Sequence, residues 1–405
     1  MNATIPVSSV KRRELIGFIA PFFLRLIDKV DAGIAAGSIE ARLPNGQTRL
    51  LGGRGEGPAA HVELRSWQAL ARLAIGGSSG WYVAWTRGEW ASPDPVAVFE
   101  VFSRNRRTLG ETGRSGGVAR LAKRAFHWLH RNNRGGARRN IEAHYDLGND
   151  FYAAWLDPTL TYSSALFDGE SADSLEAAQR RKLAAMLDRT ATAPGERILE
   201  IGCGWGSFAA QAAAAGRQVH AITLSSAQEA FVAARGLPGV TVALTDYRDV
   251  TGSFDAVVSI EMVEAVGQDY WPAYLAAIAR LLKPGGRAAI QFIAIDDAIF
   301  DSYAANVDFV QAYVFPGGML LSESRFRALA EAAGFDWVDR VAFGADYAET
   351  LRRWRRQFDE AVSAGALPPR FDSNFIDLWR YYLMYCEGGF RGGGLEVAQV
   401  TLVKR

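Results

Sequence analysis

The chain has 405 residues, of which 49% are hydrophobic and 22% charged, a composition typical of globular proteins and long enough for two domains. The formal net charge of +1 gives the whole molecule no strong electrostatic bias. Two cysteines form no disulfide framework and five scattered histidines form no metal-ligand pattern, so we expect neither a disulfide-stabilised secreted domain nor a metal site.

Residues 11–30 have the periodicity of an amphipathic helix, whose apolar side is mostly phenylalanine and leucine. We favour packing of this helix against its own domain over insertion into a membrane. The apolar run at 15–24 is too short to span a bilayer, and the charged residues Asp28 and Lys29 follow it closely. We therefore expect no secretory signal peptide.

The next elements predict a small α+β domain. Alternating residues on both sides of Asn45 and Gly46 are typical of a β-hairpin, and a further alternating strand follows. Helices are predicted over 66–75 and 94–108. The stretch between them is dense in tryptophan, whose rings are most often found in a core. We place this accessory domain at residues 1–112.

Residues 113–140 contain no Asp or Glu and eight basic residues. The basic residues are Arg114, Arg120, Lys123, Arg124, Arg131, Arg134, Arg138 and Arg139. This segment can be a solvated linker, or a basic amphipathic segment that docks on an anionic membrane surface. Nucleic acid could use the same charges, but the chain has no recognised nucleic-acid-binding motif, so we expect no nucleic-acid partner.

Residues 141–405 predict a second domain. It opens with an aromatic-rich stretch of ordered loop and short helix, and an amphipathic helix follows over 172–190. Apolar strands then alternate with helices, which predicts a doubly wound, mostly parallel sheet with helices on both faces. The predicted strands are 197–201, 218–225, 240–249, 254–267 and 287–295. In such sheets the ligand binds at the carboxyl ends of the strands.

The glycine-rich turn at 202–206 joins the first of these strands to an alanine-rich helix. Its glycines let the backbone turn sharply and approach a ligand closely. GxGxG after an acidic strand end, here Glu200, is common in S-adenosylmethionine (SAM) methyltransferases. A dinucleotide fingerprint needs glycine where Ser207 stands, so we favour SAM over a dinucleotide and over a turn with no ligand.

From about Gly37 to the C-terminus, the chain resembles the cyclopropane-fatty-acyl-phospholipid synthase family of SAM-dependent methyltransferases. The motifs that carry the resemblance are HYDLGNDFYAAWLDPTLTYSSALF, ILEIGCGWGSFA, ITLSSAQ, SIEMVEAVG, LLKPGGR, FVQAYVFPGGML, FGADY and WRYYLMYCEGGFR. The resemblance implies a Rossmann-like methyltransferase domain. It also implies that FPGGML and the aromatic-rich tail form a helical cap around a lipid pocket, although the cap can also be a core of its own.

The resemblance assigns a set of cofactor-binding residues. Those around Glu200 hold the methionine part of SAM, Gln228 replaces the acid that often binds the ribose, and Tyr247 and Arg248 lie beside the adenine. For Gly204 the alternative is a purely conformational role, and for Tyr247 a packed aromatic ring. The complete set is Tyr162, Ser163, Glu200, Gly202, Cys203, Gly204, Gly206, Thr223, Leu224, Ser225, Gln228, Tyr247 and Arg248.

The family's chemistry sets requirements for the rest of the site. Methyl transfer to an alkene leaves a carbocation, which needs a dry, aromatic pocket and a base that removes a proton. The resemblance implies that a bound bicarbonate is this base. The catalytic residues it assigns are Ser164, Glu264, Gln291, Ile293 (through its backbone), Tyr347 and Cys386.

Two of these positions depart from the family. Ser164 stands where the family has cysteine, and Gln291 where it has histidine. Both can hydrogen-bond an anion, but glutamine cannot carry a proton. These departures favour a product with an open methylated chain over a cyclopropane. The proposed chemistry needs no covalent nucleophile, so we interpret Cys386 as structural.

We therefore expect an enzyme that transfers a methyl group from SAM to the double bond of an unsaturated acyl chain in a membrane phospholipid. The product is a cyclopropane or a methyl-branched chain. The alternatives are a soluble or carrier-bound acyl substrate, and an inactive homologue that only binds lipid. We expect the enzyme in the cytoplasm, at the inner face of an anionic membrane. The oligomeric state is open, a homodimer being one alternative.

Overall fold

The computed structural model describes residues 23–110, 147–169 and 173–405. The chain divides into two compact units, Met1–Ala122 and Lys123–Arg405. The basic segment predicted at 113–140 lies outside the described residues. The predicted division into 1–112, 113–140 and 141–405 therefore stays a prediction.

The first unit is a small α+β fold, as predicted. Its four-stranded sheet has the order β2-β1-β3-β4, with β1 antiparallel to β2 and parallel to β3. Residues 23–33 are helical, in agreement with the second half of the helix predicted over 11–30, whose first half is outside the described residues. The other elements are β1 Ser38–Arg42, β2 Thr48–Gly52, β3 Ala59–Leu64, α1 Gln68–Thr86, β4 Trp90–Ala91, α2 Pro95–Arg104 and α3 Arg106–Leu109.

The other two helix predictions in this unit need correction. The helix predicted over 66–75 continues as α1 to Thr86, because the backbone kinks at Gly77 (φ 60°) and then resumes its helical course. The tryptophan-rich stretch is therefore mostly helical, and Trp81 stacks on Trp90 with ring centroids 4.4 Å apart. The helix predicted over 94–108 is two helices. They are separated at Asn105, whose side chain accepts hydrogen bonds from two backbone amides near residue 35.

The second unit contains the predicted doubly wound α/β sheet, here with seven strands in the order β10-β11-β9-β8-β5-β6-β7. Strands β5 to β9 are parallel, and β11 is antiparallel to both of its neighbours. The elements are α4 Asn149–Ala153, α5 Leu175–Thr190, β5 Arg197–Ile201, α6 Ser207–Ala214, β6 Gln218–Thr223, α7 Ser226–Ala234, β7 Val240–Leu244, β8 Phe254–Ile260, α8 Trp271–Leu281, β9 Leu282–Ile295, α9 Phe300–Ala304, α10 Phe309–Tyr313, α11 Glu323–Ala332, β10 Phe335–Ala342, α12 Gly344–Ser363, α13 Ser373–Arg391 and β11 Leu395–Lys404.

The sheet is covered on both faces, which explains the continuous apolar sequence of its central strands. Alternate residues of β5 face opposite sides. Leu199 packs in the core that contains Trp271 of α8, and Ile198 packs in the core that contains Phe208 of α6. Each such buried side chain contributes roughly 1.5–3 kcal/mol relative to an exposed one. The chain leaves β5 toward β6 on one side and returns to β8 on the other, which opens a cleft at their carboxyl ends.

The sequence prediction missed some strands of this sheet. Strand β9 begins at Leu282, so the KPGGR turn belongs to the strand and does not separate it from helix α8. Strands β10 and β11 were not predicted, although both complete the sheet at its antiparallel edge. Within the described ranges, no helix is long and apolar enough to cross a membrane.

Candidate active site

The glycine turn after β5 forms one wall of a pocket at the carboxyl ends of the parallel strands. Gly202 and Gly204 have φ values of 80° and 53°, which favour glycine. A Cβ atom at Gly202 would lie 2.8 Å from Cγ of Met262, whereas a Cβ atom at Gly204 would meet no protein atom within 4 Å. Gly204 therefore leaves open space in the wall of the pocket.

The structure brings all but two of the predicted cofactor residues together around this pocket. The two exceptions, Ser225 and Gly206, are not part of the pocket lining and have contacts within the fold. Ser225 caps helix α7 by accepting a hydrogen bond from the backbone N–H of Gln228, and Gly206 faces Val232. The predicted residues that line the pocket are Tyr162, Ser163, Glu200, Gly202, Cys203, Gly204, Thr223, Leu224, Gln228, Tyr247 and Arg248.

Two buried polar atoms in this wall have no hydrogen-bond partner among the residues that the structure describes: Oε2 of Glu200 and Nε2 of Gln228. The hydroxyl of Thr223 donates to Oε1 of Gln228 at 2.8 Å, which leaves the amide nitrogen available as a donor. Burial of unpaired polar atoms is costly, so such atoms indicate a polar ligand. The set fits SAM, with an acceptor for its ammonium group at Glu200 and a donor for a ribose oxygen at Gln228.

The electrostatics of Glu200 fit a cationic ligand. Burial raises the pKa of this carboxyl to about 8, although hydrogen bonding and the charge of Lys182 oppose the shift. A cation bound beside Glu200 stabilises the ionised form. Elsewhere in the pocket lining, Arg248 binds Asp246 through two hydrogen bonds of 2.8 and 2.6 Å and lies 5.4 Å from the ring of Tyr247. This pair holds the tyrosine where the resemblance implies adenine.

Three of the predicted catalytic residues converge on Glu261, which the sequence analysis did not assign. Oε1 of Glu261 accepts hydrogen bonds from the backbone N–H of Ser164 at 2.8 Å and from Nε2 of Gln291 at 2.7 Å. Oε2 accepts a hydrogen bond from the hydroxyl of Tyr347 at 2.8 Å. Glu261 follows β8 directly and also lines the pocket that contains the glycine turn.

A chain of side chains fixes the direction of these hydrogen bonds. Nε of Arg189 donates to Oε1 of Gln399 at 3.0 Å, and Nε2 of Gln399 donates to Oε1 of Gln291 at 3.0 Å. Arginine has only donors, so Gln399 presents its oxygen to Arg189 and its nitrogen to Gln291. Gln291 in turn presents its oxygen to Gln399 and its nitrogen to Glu261. Oε1 of Glu261 is therefore held as an acceptor.

In the described structure, Glu264, Ile293 and Cys386 form no hydrogen bond to Glu261, and the side-chain hydroxyl of Ser164 has another partner. Oε1 of Glu264 accepts a hydrogen bond from the backbone N–H of Ile293, and Oε2 has no partner within the described parts of the chain. Burial, together with the charge of Glu261, raises the pKa of Glu264 to about 8. The hydroxyl of Ser164 donates to the carbonyl of Ala165 at 3.0 Å. Burial raises the pKa of the Cys386 thiol, which suits our interpretation of this residue as structural.

Lys182 is a second pocket residue that the sequence analysis missed. This lysine of α5 is fully buried and lines the pocket, and its Nζ donates to Oγ of Ser163 at 2.5 Å. Burial lowers its pKa to about 8, against the charges of Glu261, Asp157 and Glu200, which raise it. The sequence did contain a signal for Glu261: it directly follows a parallel strand, at the end where ligands bind, and Glu264 comes three residues later. Lys182 gave no such signal, because lysine on an amphipathic helix is normally solvated.

Helices α12 and α13 supply an aromatic wall next to this cluster. The ring of Tyr347 lies 4.5 Å from that of Phe390 and 6.1 Å from that of Trp354. Tyr162, from the cofactor side, lies 5.3 Å from Trp354, and its hydroxyl donates to that of Tyr382 at 2.9 Å. The wall therefore joins the cofactor side of the site to the Glu261 cluster.

Comparison with known proteins agrees with this geometry. The family model described as mycolic acid cyclopropane synthetase matches residues 132–400. Tuberculostearic acid methyltransferase of Mycobacterium tuberculosis is 39% identical over 360 residues, which cover 83% of this chain and 81% of that protein. Cyclopropane-fatty-acyl-phospholipid synthase of Escherichia coli is 36% identical over 262 residues, which cover 64% of this chain and 66% of that protein.

The solved structures that match include a crystal structure of a mycolic acid cyclopropane synthase complexed with SAH and CTAB. That protein is 29% identical, with a TM-score of 0.62, and the match covers 66% of this chain and 98% of that one. A cyclopropane synthase from Mycobacterium tuberculosis is 28% identical, with a TM-score of 0.60 and the same coverage. The chain therefore belongs to the mycolic acid cyclopropane synthetase family, whose members are SAM-dependent methyltransferases of lipid acyl chains.

Proposed function

We propose that this enzyme methylates the double bond of an unsaturated acyl chain in a membrane phospholipid and releases an open, methyl-branched, unsaturated chain. The observation that supports the proposal is the single pocket shared by the glycine turn and Glu261, with the aromatic wall of α12 beside it. A phospholipid substrate is also suggested by the name of the Escherichia coli relative. The open product is suggested by Ser164 and Gln291 and by the name of the methyltransferase from Mycobacterium tuberculosis.

Different side chains of the site have different roles in the proposed reaction. Bound SAM supplies an electrophilic methyl group. Glu200 and Gln228 would hold the methionine and ribose ends of SAM, in the pocket that Glu261 also lines. The rings of Tyr162, Tyr347 and Trp354 pack together beside the pocket, and aromatic rings in such a wall would shield the acyl chain from water and stabilise positive charge on it. Exclusion of water matters because water would quench the cation before it loses a proton.

Lipid analysis after expression in a host with unsaturated phospholipids tests this proposal. We expect new methylated acyl chains in the phospholipid fraction, and proton NMR signals of an alkene instead of the upfield signals of cyclopropane protons. Mass alone is insufficient, because the two products are isomers. A product that is wholly cyclopropane would overturn the proposed outcome. Methylation of a purified carrier-bound acyl chain, with none in phospholipid vesicles, would overturn the proposed substrate.

We also propose that the basic segment at 113–140 holds the enzyme on the inner face of an anionic membrane. Exposed charges are screened beyond about 10 Å at 0.1 M salt, so binding to anionic vesicles should weaken as salt is added. Glutamine substitutions at four arginines should weaken binding at least tenfold in a vesicle sedimentation assay, because each basic residue near an anionic surface contributes roughly 1 kcal/mol. The four are Arg131, Arg134, Arg138 and Arg139.

The matched control removes the same number of charges from surface positions outside the basic segment. It carries glutamine at four exposed arginines: Arg180, Arg327, Arg356 and Arg405. We expect this control to bind anionic vesicles nearly as well as the wild type. Equal loss in both variants would show that net charge matters and not the segment. Equal binding of the wild type to neutral and anionic vesicles would show that the segment is a linker and does not dock on anionic membranes.

A further inference from the structure

The donors that could hold a bicarbonate in this site are already occupied by carboxylates of the chain. The backbone N–H of Ser164, the amide of Gln291 and the hydroxyl of Tyr347 all donate to Glu261. The backbone N–H of Ile293 donates to Glu264. Bicarbonate would have to displace the carboxylate of Glu261 from these donors, so the donor set present fits the chain's own carboxylate better than bicarbonate.

We propose that the carboxylate of Glu261 is the built-in base of this enzyme and takes the place of an exogenous anion. This inference rests on the proposed methylation of an acyl double bond. Glu261 lines the cofactor pocket and belongs to the cluster beside the aromatic wall, so it is close to where the carbocation forms. Its Oε2 accepts one bond, from Tyr347, and keeps a lone pair for a proton, whereas Oε1 accepts two bonds.

Burial and the polar groups around Glu261 act on its carboxyl in opposite directions. Burial raises the pKa of this carboxyl, but the charge of Lys182 and the hydrogen bonds from Ser164, Gln291 and Tyr347 oppose the shift. Burial also raises the pKa of Tyr347, so its hydroxyl stays protonated and donates. Burial and the charge of Glu261 raise the pKa of Glu264 to about 8, and its carboxyl accepts from the backbone amide of Ile293, so Glu261 has the stronger stabilisation of its carboxylate form.

The backbone supports a functional role at this position. Glu261 has a φ of 49°, in the left-handed region that a non-glycine residue rarely adopts. Such strain persists only where the surroundings impose it, and it is concentrated at functional sites. The backbone N–H of Glu261 donates to the carbonyl of Gln291 at 2.8 Å, so the same two residues are bonded through both backbone and side chain.

The reaction balances without a further reagent. The π electrons of the acyl double bond form a carbon–carbon bond to the methyl carbon, and the electron pair of the broken carbon–sulfur bond stays on sulfur. The acyl chain then carries a cation. A Glu261 oxygen takes one proton from it, and the electron pair of the broken carbon–hydrogen bond forms the new double bond. The proton later passes to solvent, so neither an oxidant nor a reductant takes part.

The first test compares wild type and Glu261→Gln in buffer freed of carbon dioxide, with SAM and vesicles of unsaturated phospholipid. Glutamine keeps an acceptor oxygen for Ser164 and Gln291 but cannot take a proton. We expect wild-type turnover to be the same with and without added bicarbonate, and Glu261→Gln to lose at least about 100-fold in turnover at saturating SAM. Wild-type turnover that stops without bicarbonate, or near-normal turnover of Glu261→Gln, would overturn the inference.

The second test uses Glu261→Gly, because glycine suits the backbone conformation at this position. The variant keeps the donors of Ser164, Gln291 and Tyr347 around the space that the carboxylate leaves. We expect its turnover to be as low as that of Glu261→Gln, and added formate or bicarbonate to raise it at least tenfold, an effect that a merely structural role would not show. Full activity of Glu261→Gly without an added anion contradicts a built-in base.

The two proposals fail in different ways. If wild type methylates no phospholipid, the proposed substrate is wrong, and the Glu261 variants are then compared on the carrier-bound acyl chain. If wild type forms methylated phospholipid and Glu261→Gln forms it equally fast, the proposed function stands and the role of Glu261 is wrong. Calorimetry with SAM shows in both cases whether each variant is folded with its cofactor pocket intact.

Discussion

Gly204→Val is expected to weaken SAM binding by at least about 100-fold, which corresponds to roughly 2.7 kcal/mol, while the protein stays folded. The reason is steric. A Cβ atom at this position meets no protein atom within 4 Å, and the residue lines the cofactor pocket, so the valine methyls would take space that the ligand needs. Titration calorimetry with SAM measures the loss, and a thermal melt checks the fold.

The chain offers a matched control for the backbone strain of this substitution. Gly236 has a φ of 56°, close to the 53° of Gly204, and a Cβ atom there also meets nothing within 4 Å. It is exposed after helix α7 and is not part of the pocket lining. Gly204→Val and Gly236→Val should share a destabilisation of roughly 1–2 kcal/mol, and only the first should lose SAM. Normal affinity in Gly204→Val would place the methionine part of the cofactor elsewhere.

The cofactor side of the site could be predicted from the sequence because parallel strands place their carboxyl ends at one edge of the sheet. Glu200 lies at the end of β5 and Gly204 follows that strand, Thr223 ends β6 and Tyr247 follows β7. The strand assignments alone bring these residues to one edge. The two exceptions have local reasons. Ser225 is used as a helix cap, and Gly206 has a neighbour on another helix, neither of which strand order reveals.

The reaction side could not be predicted in the same way, since its key contacts join distant parts of the chain. Ser164 and Tyr347 lie 97 and 86 residues from Glu261 in sequence, and their contacts depend on tertiary packing that brings the segment before α5 and the start of α12 to the end of β8. The sequence showed that Ser164 and Gln291 are uncharged donors. It did not show that the acceptor between them is a glutamate of the chain. Lys182 was missed because its burial depends on tertiary structure and not on its helical pattern.

Lys182→Met is expected to move the pH dependence of turnover to higher pH. Lys182 is the cation whose charge lowers the pKa of both Glu200 and Glu261, and Asp157 also faces it. Without this charge, the pKa of Glu261 rises and a smaller fraction of the carboxyl is ionised at neutral pH. A rise of one unit makes turnover about tenfold slower on the acid side, and turnover recovers as the pH is raised through the new pKa.

The measurement is turnover at saturating SAM between pH 6 and pH 9.5, with Lys283→Met as the control. Lys283 pairs with Asp255 at the surface, so its loss removes the same charge without changing the pocket. Methionine matches the volume of lysine and is apolar, so Lys182→Met fills the buried site and the fold is retained. A general structural defect lowers turnover equally at every pH, whereas loss of the counter-charge is corrected by alkaline buffer. A variant with the wild-type pH profile would show that Lys182 does not control the ionisation of Glu261.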